Sequence, residues 1–149
     1  MEADTPCVKT KIMESHFKFS DAEFENQFEN CELIPAMFSH EAHLRIAWIY
    51  INKYGVEKAV IKLCSQLRNY VNHVGAISKY NETLTIAAVR AVYHFMIKSK
   101  SRNFQNFITE NLRLKHNFKE LLLQHYRIDI FTSEKAKKEY LLPDLLPFD

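Results

Sequence analysis

Glycine is nearly missing from this chain: Gly55 and Gly75 are the only two in 149 residues. A loop that cradles phosphate, or an elbow that presents a nucleophilic serine, needs several glycines within one short motif. P-loops, dinucleotide-binding turns and Gly-x-Ser-x-Gly sites are therefore excluded. Cysteine is also scarce. Cys7, Cys31 and Cys64 are odd in number, far apart and in no Cys-x-x-Cys spacing. Neither a disulfide framework nor a thiolate zinc site is expected, and the setting expected is reducing and cytoplasmic.

Long apolar runs are absent as well. The densest, Ile46-Ala47-Trp48-Ile49-Tyr50-Ile51, falls far short of the ~20 residues a bilayer-spanning helix requires, so no membrane partner is expected. Residues 1–18 carry no apolar stretch, and no secretory leader is expected there. The Asn81-Glu82-Thr83 sequon is accordingly read as a chance match. Charge of one sign is lacking too: 20 Lys and Arg against 18 Asp and Glu leave a net charge of +2. That is too weak a field to imply nucleic acid. The basic stretch Lys98, Lys100, Arg102, Arg113 and Lys115, interleaved with Phe104 and Phe107, reads as a solvated helix end.

What remains is 47% hydrophobic and 26% charged, the balance of a folded globular chain of one domain's length. The two glycines and the prolines Pro6, Pro35, Pro143 and Pro147 leave long stretches free of helix breakers. Helices are read from the Ser20 cap to about Cys31, from the Ser39 cap to Gly55, from Val56 to Val74, and onward from Asn81. Shorter ones follow at about Asn103 to Asn111, Asn117 to His125 and Ser133 to Leu141. The fold class expected is all-α: a single antiparallel bundle with short C-terminal helices, spanning 19–149, after a flexible tail at 1–18.

Short loops between the second, third and fourth helices place the start of the second, the end of the third and the start of the fourth at one end of the bundle. His40, His43, His73, Asn81, Thr83 and Thr85 occupy those places. On an inward stripe of His40, His43, Leu44, Ala47, Ile51 and Tyr54, the first two histidines face the core. Imidazoles at i and i+3 with a third from a neighbouring helix suit a divalent transition metal such as zinc or iron, so His40, His43 and His73 are candidate ligands. Asn81, Thr83 and Thr85 would then orient the imidazoles or touch a ligand. The competing reading is a hydrogen-bonded polar plug closing the bundle end. His40-Glu41-Ala42-His43 is not His-Glu-x-x-His, and no pair of Glu-x-x-His segments supports a di-iron bundle.

The blocks Phe38-Ser39-His40-Glu41-Ala42-His43-Leu44, His73-Val74-Gly75, Lys79-Tyr80-Asn81-Glu82-Thr83-Leu84-Thr85 and Pro143-Asp144-Leu145, taken in this order, resemble a family of small, mostly bacterial proteins without an assigned function. That family carries Phe-x-His-x-x-His, His-x-Gly and Lys-Tyr-His-x-Thr-x-Thr. The resemblance runs from about Glu23 onward and implies a histidine-rich site whose last histidine is here Asn81.

Two functions stay open at this point. One is a small metal-binding protein or metalloenzyme acting on a small molecule. The other is a non-enzymatic module for a protein partner whose polar cluster is structural.

Overall fold

The computed structural model of the chain describes residues 13–148. Among these residues there are eight α-helices and no strand. Helix α1 (Asp21–Glu29) opens on a capping box in which Ser20 Oγ accepts from the Glu23 N–H and the Glu23 carboxylate accepts from the Ser20 N–H. Two donors that no helical carbonyl can reach are thereby satisfied.

Helix α2 (His40–Tyr54) starts on Ser39, whose Oγ accepts from the Ala42 N–H. It stops at Gly55, held at φ 83° and ψ 162°, a region essentially closed to residues with a Cβ. Helix α3 (Val56–His73) begins at the very next residue, so one glycine joins the two helices. Helix α3 ends in a Schellman motif: Gly75, at φ 78°, donates to Asn72 O, and Ala76 donates to Val71 O at 2.7 Å.

Helix α4 (Glu82–Met96) is capped by Asn81. Short helices α5 (Phe104–Glu110), α6 (Leu112–His116), α7 (Phe118–Leu123) and α8 (Glu134–Lys138) complete the fold. Three 3₁₀ turns, Ser15–Lys18, Pro35–Met37 and Ile77–Lys79, precede α1, α2 and α4 respectively. Helix α6 has no equivalent among the helices expected from the sequence, and α7 and α8 are each a few residues shorter than expected. Residues 127–131, where polar and apolar side chains alternate as they would in a strand, form none.

Helices α2, α3 and α4 pack against one another pairwise, α1 lies across α2 and α3, α8 covers α4, and α5 and α6 lean on α2. Helix α2 is therefore central. Between Glu41 and Ile51 every residue except His43 is buried. The expected single stripe on α2 needs correction for this reason: a helix enclosed on all sides shows no dry and wet face. His40, expected inward, is exposed, and Tyr54 is half-buried.

One continuous core runs from Phe24 and Phe28 through Tyr50 and Tyr70 to Phe104, Phe107, Leu114 and Ile130. Its buried phenols are paired, Tyr50 with the Glu29 carboxylate at 2.5 Å and Tyr70 with Leu33 O at 2.7 Å, as buried hydroxyls must be. Of the stretch expected to be a flexible tail, residues 1–12 lie outside the described residues. Ser15–Lys18 forms a packed turn whose His16 is fully buried. No helix among the described residues is long and apolar enough to cross a membrane.

Candidate functional site

The start of α2, the end of α3 and the start of α4 meet around a cavity of about 500 Å³. Its walls are mostly apolar: Leu44 and Ala47 from α2, Leu63, Leu67, Tyr70, Val71 and Val74 from α3, and Leu84 and Ala88 from α4. Pro35, Phe38, Phe118 and Phe131 add to the apolar lining. A mainly hydrophobic cavity of this size with a few convergent polar groups is the usual form of a small-molecule site. The polar residues that line it include His40, His43, Asn81 and Thr85.

His43 is the most informative of them. Its Nδ1–H donates to Ser39 O at 2.8 Å, which fixes the proton on Nδ1, because a carbonyl only accepts. Nε2 is then an acceptor, and it has no hydrogen-bond partner among the described residues. The ring stacks face to face on Phe38, with centroids 3.7 Å apart. Burial, helped by nearby His40 and opposed by the Ser39 hydrogen bond, lowers the His43 pKa from 6.5 to about 4. At neutral pH the cavity thus holds a neutral imidazole with a free, oriented lone pair.

Several of the other polar groups are engaged elsewhere. His40 Nε2–H donates to Leu114 O at 2.9 Å and its ring leans on Phe118, tying α6 and α7 to the mouth. Asn81 accepts from Leu84 N at 2.9 Å as the cap of α4 and donates to Ile130 O at 2.8 Å. Thr85 Oγ1 donates back to Asn81 O at 2.7 Å. Tyr80 donates to the Glu82 carboxylate at 2.6 Å, and Arg68 braces both. Burial first, then the Glu82 carboxylate, pushes the Tyr80 phenol far up, so it stays protonated.

Two candidates lie elsewhere. His73 is exposed at the end of α3 and does not line the cavity. Thr83 is fully buried on the α8 side of α4, donating to Glu139 O at 2.7 Å and accepting from Leu141 N at 2.9 Å. It fastens the C-terminal segment to α4. Phe104 and Phe107, interleaved with the basic stretch, are core residues and present no stacking surface.

Among the described residues a single group of three metal-type side chains has ligand atoms within 4.8 Å of one another, and it is Glu14, His16 and Glu41 rather than the three histidines. This group is already paired. Lys115 Nζ lies 2.9 Å from Glu41 and 3.3 Å from Glu14. Arg45 donates to His16 Nδ1 at 3.3 Å, so His16 Nε2 carries the proton it gives to Glu41 at 2.7 Å. Burial raises the Glu41 pKa, but hydrogen bonds from His16 and Lys115 outweigh it, and the net shift is downward. The ammonium and guanidinium supply the cations, and the result is a buried ion-pair network.

This network lies outside the residues expected to form the site. Its trace in the sequence is the pair Glu41 and Arg45, one turn apart on a helix whose middle is otherwise largely apolar. Comparison with protein-family models, with curated proteins and with solved structures finds no match.

Proposed function

We propose that this protein binds a small, largely apolar organic molecule between α2, α3 and α4, and that His43 Nε2 accepts a hydrogen bond from a hydroxyl or N–H of that molecule. The observation that carries the reading is the unpaired His43 acceptor inside an apolar cavity of about 500 Å³. His43 Nε2 is one of the few polar atoms that a ligand in this apolar cavity could address, so a donor placed there gains a directional hydrogen bond worth about 0.5–1.5 kcal/mol net. The segments Phe38 to His43 and Tyr80 to Thr85, which carry the family resemblance, both contribute lining, which supports placing function here. The cytoplasmic setting belongs to the same proposal, supported by the free thiols Cys31 and Cys64.

A metal reading, with zinc or iron on His40, His43 and His73, draws on one feature. A histidine whose Nδ1–H is anchored to a carbonyl is oriented as metal ligands are. It is the weaker of the two, because His40 Nε2 is spent on Leu114 O and His73 sits outside the lining.

Titration with dodecanol, followed by thermal shift and calorimetry, tests the organic-ligand reading. Ala88 lines the cavity and is only half-buried, so Ala88→Phe fills the space from the wall. Saturable binding by the wild type that Ala88→Phe weakens tenfold or more, with the fold intact, is expected. Binding that ignores Ala88→Phe, or no binding, overturns the proposal.

A further inference from the structure

The polarity of the cavity is one-sided. No aspartate or glutamate is among its lining residues, whereas Lys79 and His40 are, and both are exposed at its rim. Lys79 lies in the 3₁₀ turn leading into α4 and has no ion-pair partner among the described residues. The other bases near this end are neutralised: Arg68 pairs with Glu82 at 3.1 Å, and Lys115 with Glu41 and Glu14. His40 keeps Nδ1 unpaired, its Nε2 proton being held by Leu114 O. An exposed ammonium and a neutral, half-buried acceptor on His43 thus line the same apolar cavity, the charge at the solvent edge and the acceptor further from solvent.

Resting on the small-molecule reading above, we infer that the ligand is an amphipathic monocarboxylate, a hydroxylated aliphatic acid whose carboxylate pairs with Lys79 at the rim, whose hydroxyl donates to His43, and whose hydrocarbon fills the apolar floor. A single negative charge matches a single ammonium. A phosphate dianion would bring a second charge that the rim does not answer, and a cationic amphiphile would meet repulsion from Lys79. Because the ion pair forms at the solvent edge, its contribution is modest and salt-sensitive.

The experiment compares β-hydroxydodecanoate with its methyl ester by calorimetry at low and high salt, in the wild type and in Lys79→Glu. The two probes share the hydroxyl and the chain and differ in charge. The acid is expected to bind about fivefold more tightly than the ester to the wild type at low salt, a preference that fades at high salt. In Lys79→Glu the ester affinity should persist while the acid falls below it, and dodecylamine should gain. Lys79 is exposed and its side chain has no partner to lose among the described residues, so the variant should fold. Equal affinity for acid and ester in the wild type, or a preference unchanged in Lys79→Glu, overturns the inference and leaves the small-molecule reading standing. Failure of acid, ester and dodecanol alike removes both.

Discussion

His43 donates its Nδ1 proton to the carbonyl oxygen of Ser39, one turn earlier on the same helix, across 2.8 Å. Ser39 is thus engaged three times: its carbonyl orients the imidazole, its Oγ caps α2, and its hydroxyl proton goes to the Glu14 carboxylate. A local helix-start motif therefore sets both the tautomer of the His43 ring in the cavity and the attachment of the Glu14 segment.

The depressed pKa of His43 makes stability depend on pH. In the unfolded chain the imidazole takes a proton near 6.5, and in the folded protein only near 4. Between those values the unfolded state binds more protons, so stability falls as pH is lowered. A loss of about 2 kcal/mol from neutral pH to about pH 5 is expected from this group. Urea melts across that range should show it, and the slope should flatten in His43→Leu; an unchanged slope would place its origin elsewhere.

Asn81 acts as a strut. Asn81→Ala removes the α4 cap, worth about 1 kcal/mol, and leaves Ile130 O without its donor, for a total of about 2–3 kcal/mol. Asn81→Asp keeps the capping oxygen yet faces the Ile130 carbonyl with another acceptor, so it should recover little. Equilibrium denaturation of the two variants separates the effects. Full recovery by Asp would show that the long-range bond contributes nothing.

Arg45 is buried and donates to His16 O, to Phe19 O and to the Asp21 carboxylate, at 2.8 to 2.9 Å. Arg45→Leu strands those acceptors and removes the donor facing His16, with an expected cost of about 3–5 kcal/mol. Lys115→Met, at a partly exposed position, should cost about 1–2 kcal/mol, since Glu41 keeps the proton shared by His16. A reversed order in chemical denaturation would contradict the role given to Arg45.

Gly55 supplies a test of the α2–α3 junction. A Cβ at this position meets no atom within 4 Å, so any cost of Gly55→Ala comes from the backbone alone. At φ 83° and ψ 162° that cost is about 1–3 kcal/mol. A neutral substitution would mean that the junction can relax to another conformation.

The frame of the fold was legible because its punctuation is local. Gly55, Gly75, Ser39 and Asn81 each announce a helix end within a few residues, and those ends alone place α2, α3 and α4. The short C-terminal helices are different. Helix α6 is separated from its neighbours by Asn111 and Asn117 rather than by glycine or proline, and it is held by the burial of Leu114 and by His40 bonding to Leu114 O.

At the site, helix-end geometry brought out the neighbourhood but not the roles. Asn81 reaches Ile130 across 49 positions, and His16 enters a network with α2 from a turn that sequence pattern reads as tail. The burial of α2 on all sides follows from its packing against five other helices, which periodicity within α2 cannot reveal, while His40, its first residue, stays exposed at the helix end. In each case a contact distant in sequence decides the outcome, and one chain's residue pattern carries no record of it.

The most direct test of the central claim is long-range proton–nitrogen correlation NMR of the His43 ring at neutral pH, before and after saturation with dodecanol. The expected result is a neutral ring with its proton on Nδ1 and an Nε2 resonance that moves when the alcohol is added, with no such change in Ala88→Phe. A His43 ring protonated on Nε2, or an Nε2 signal indifferent to saturating dodecanol, would contradict it.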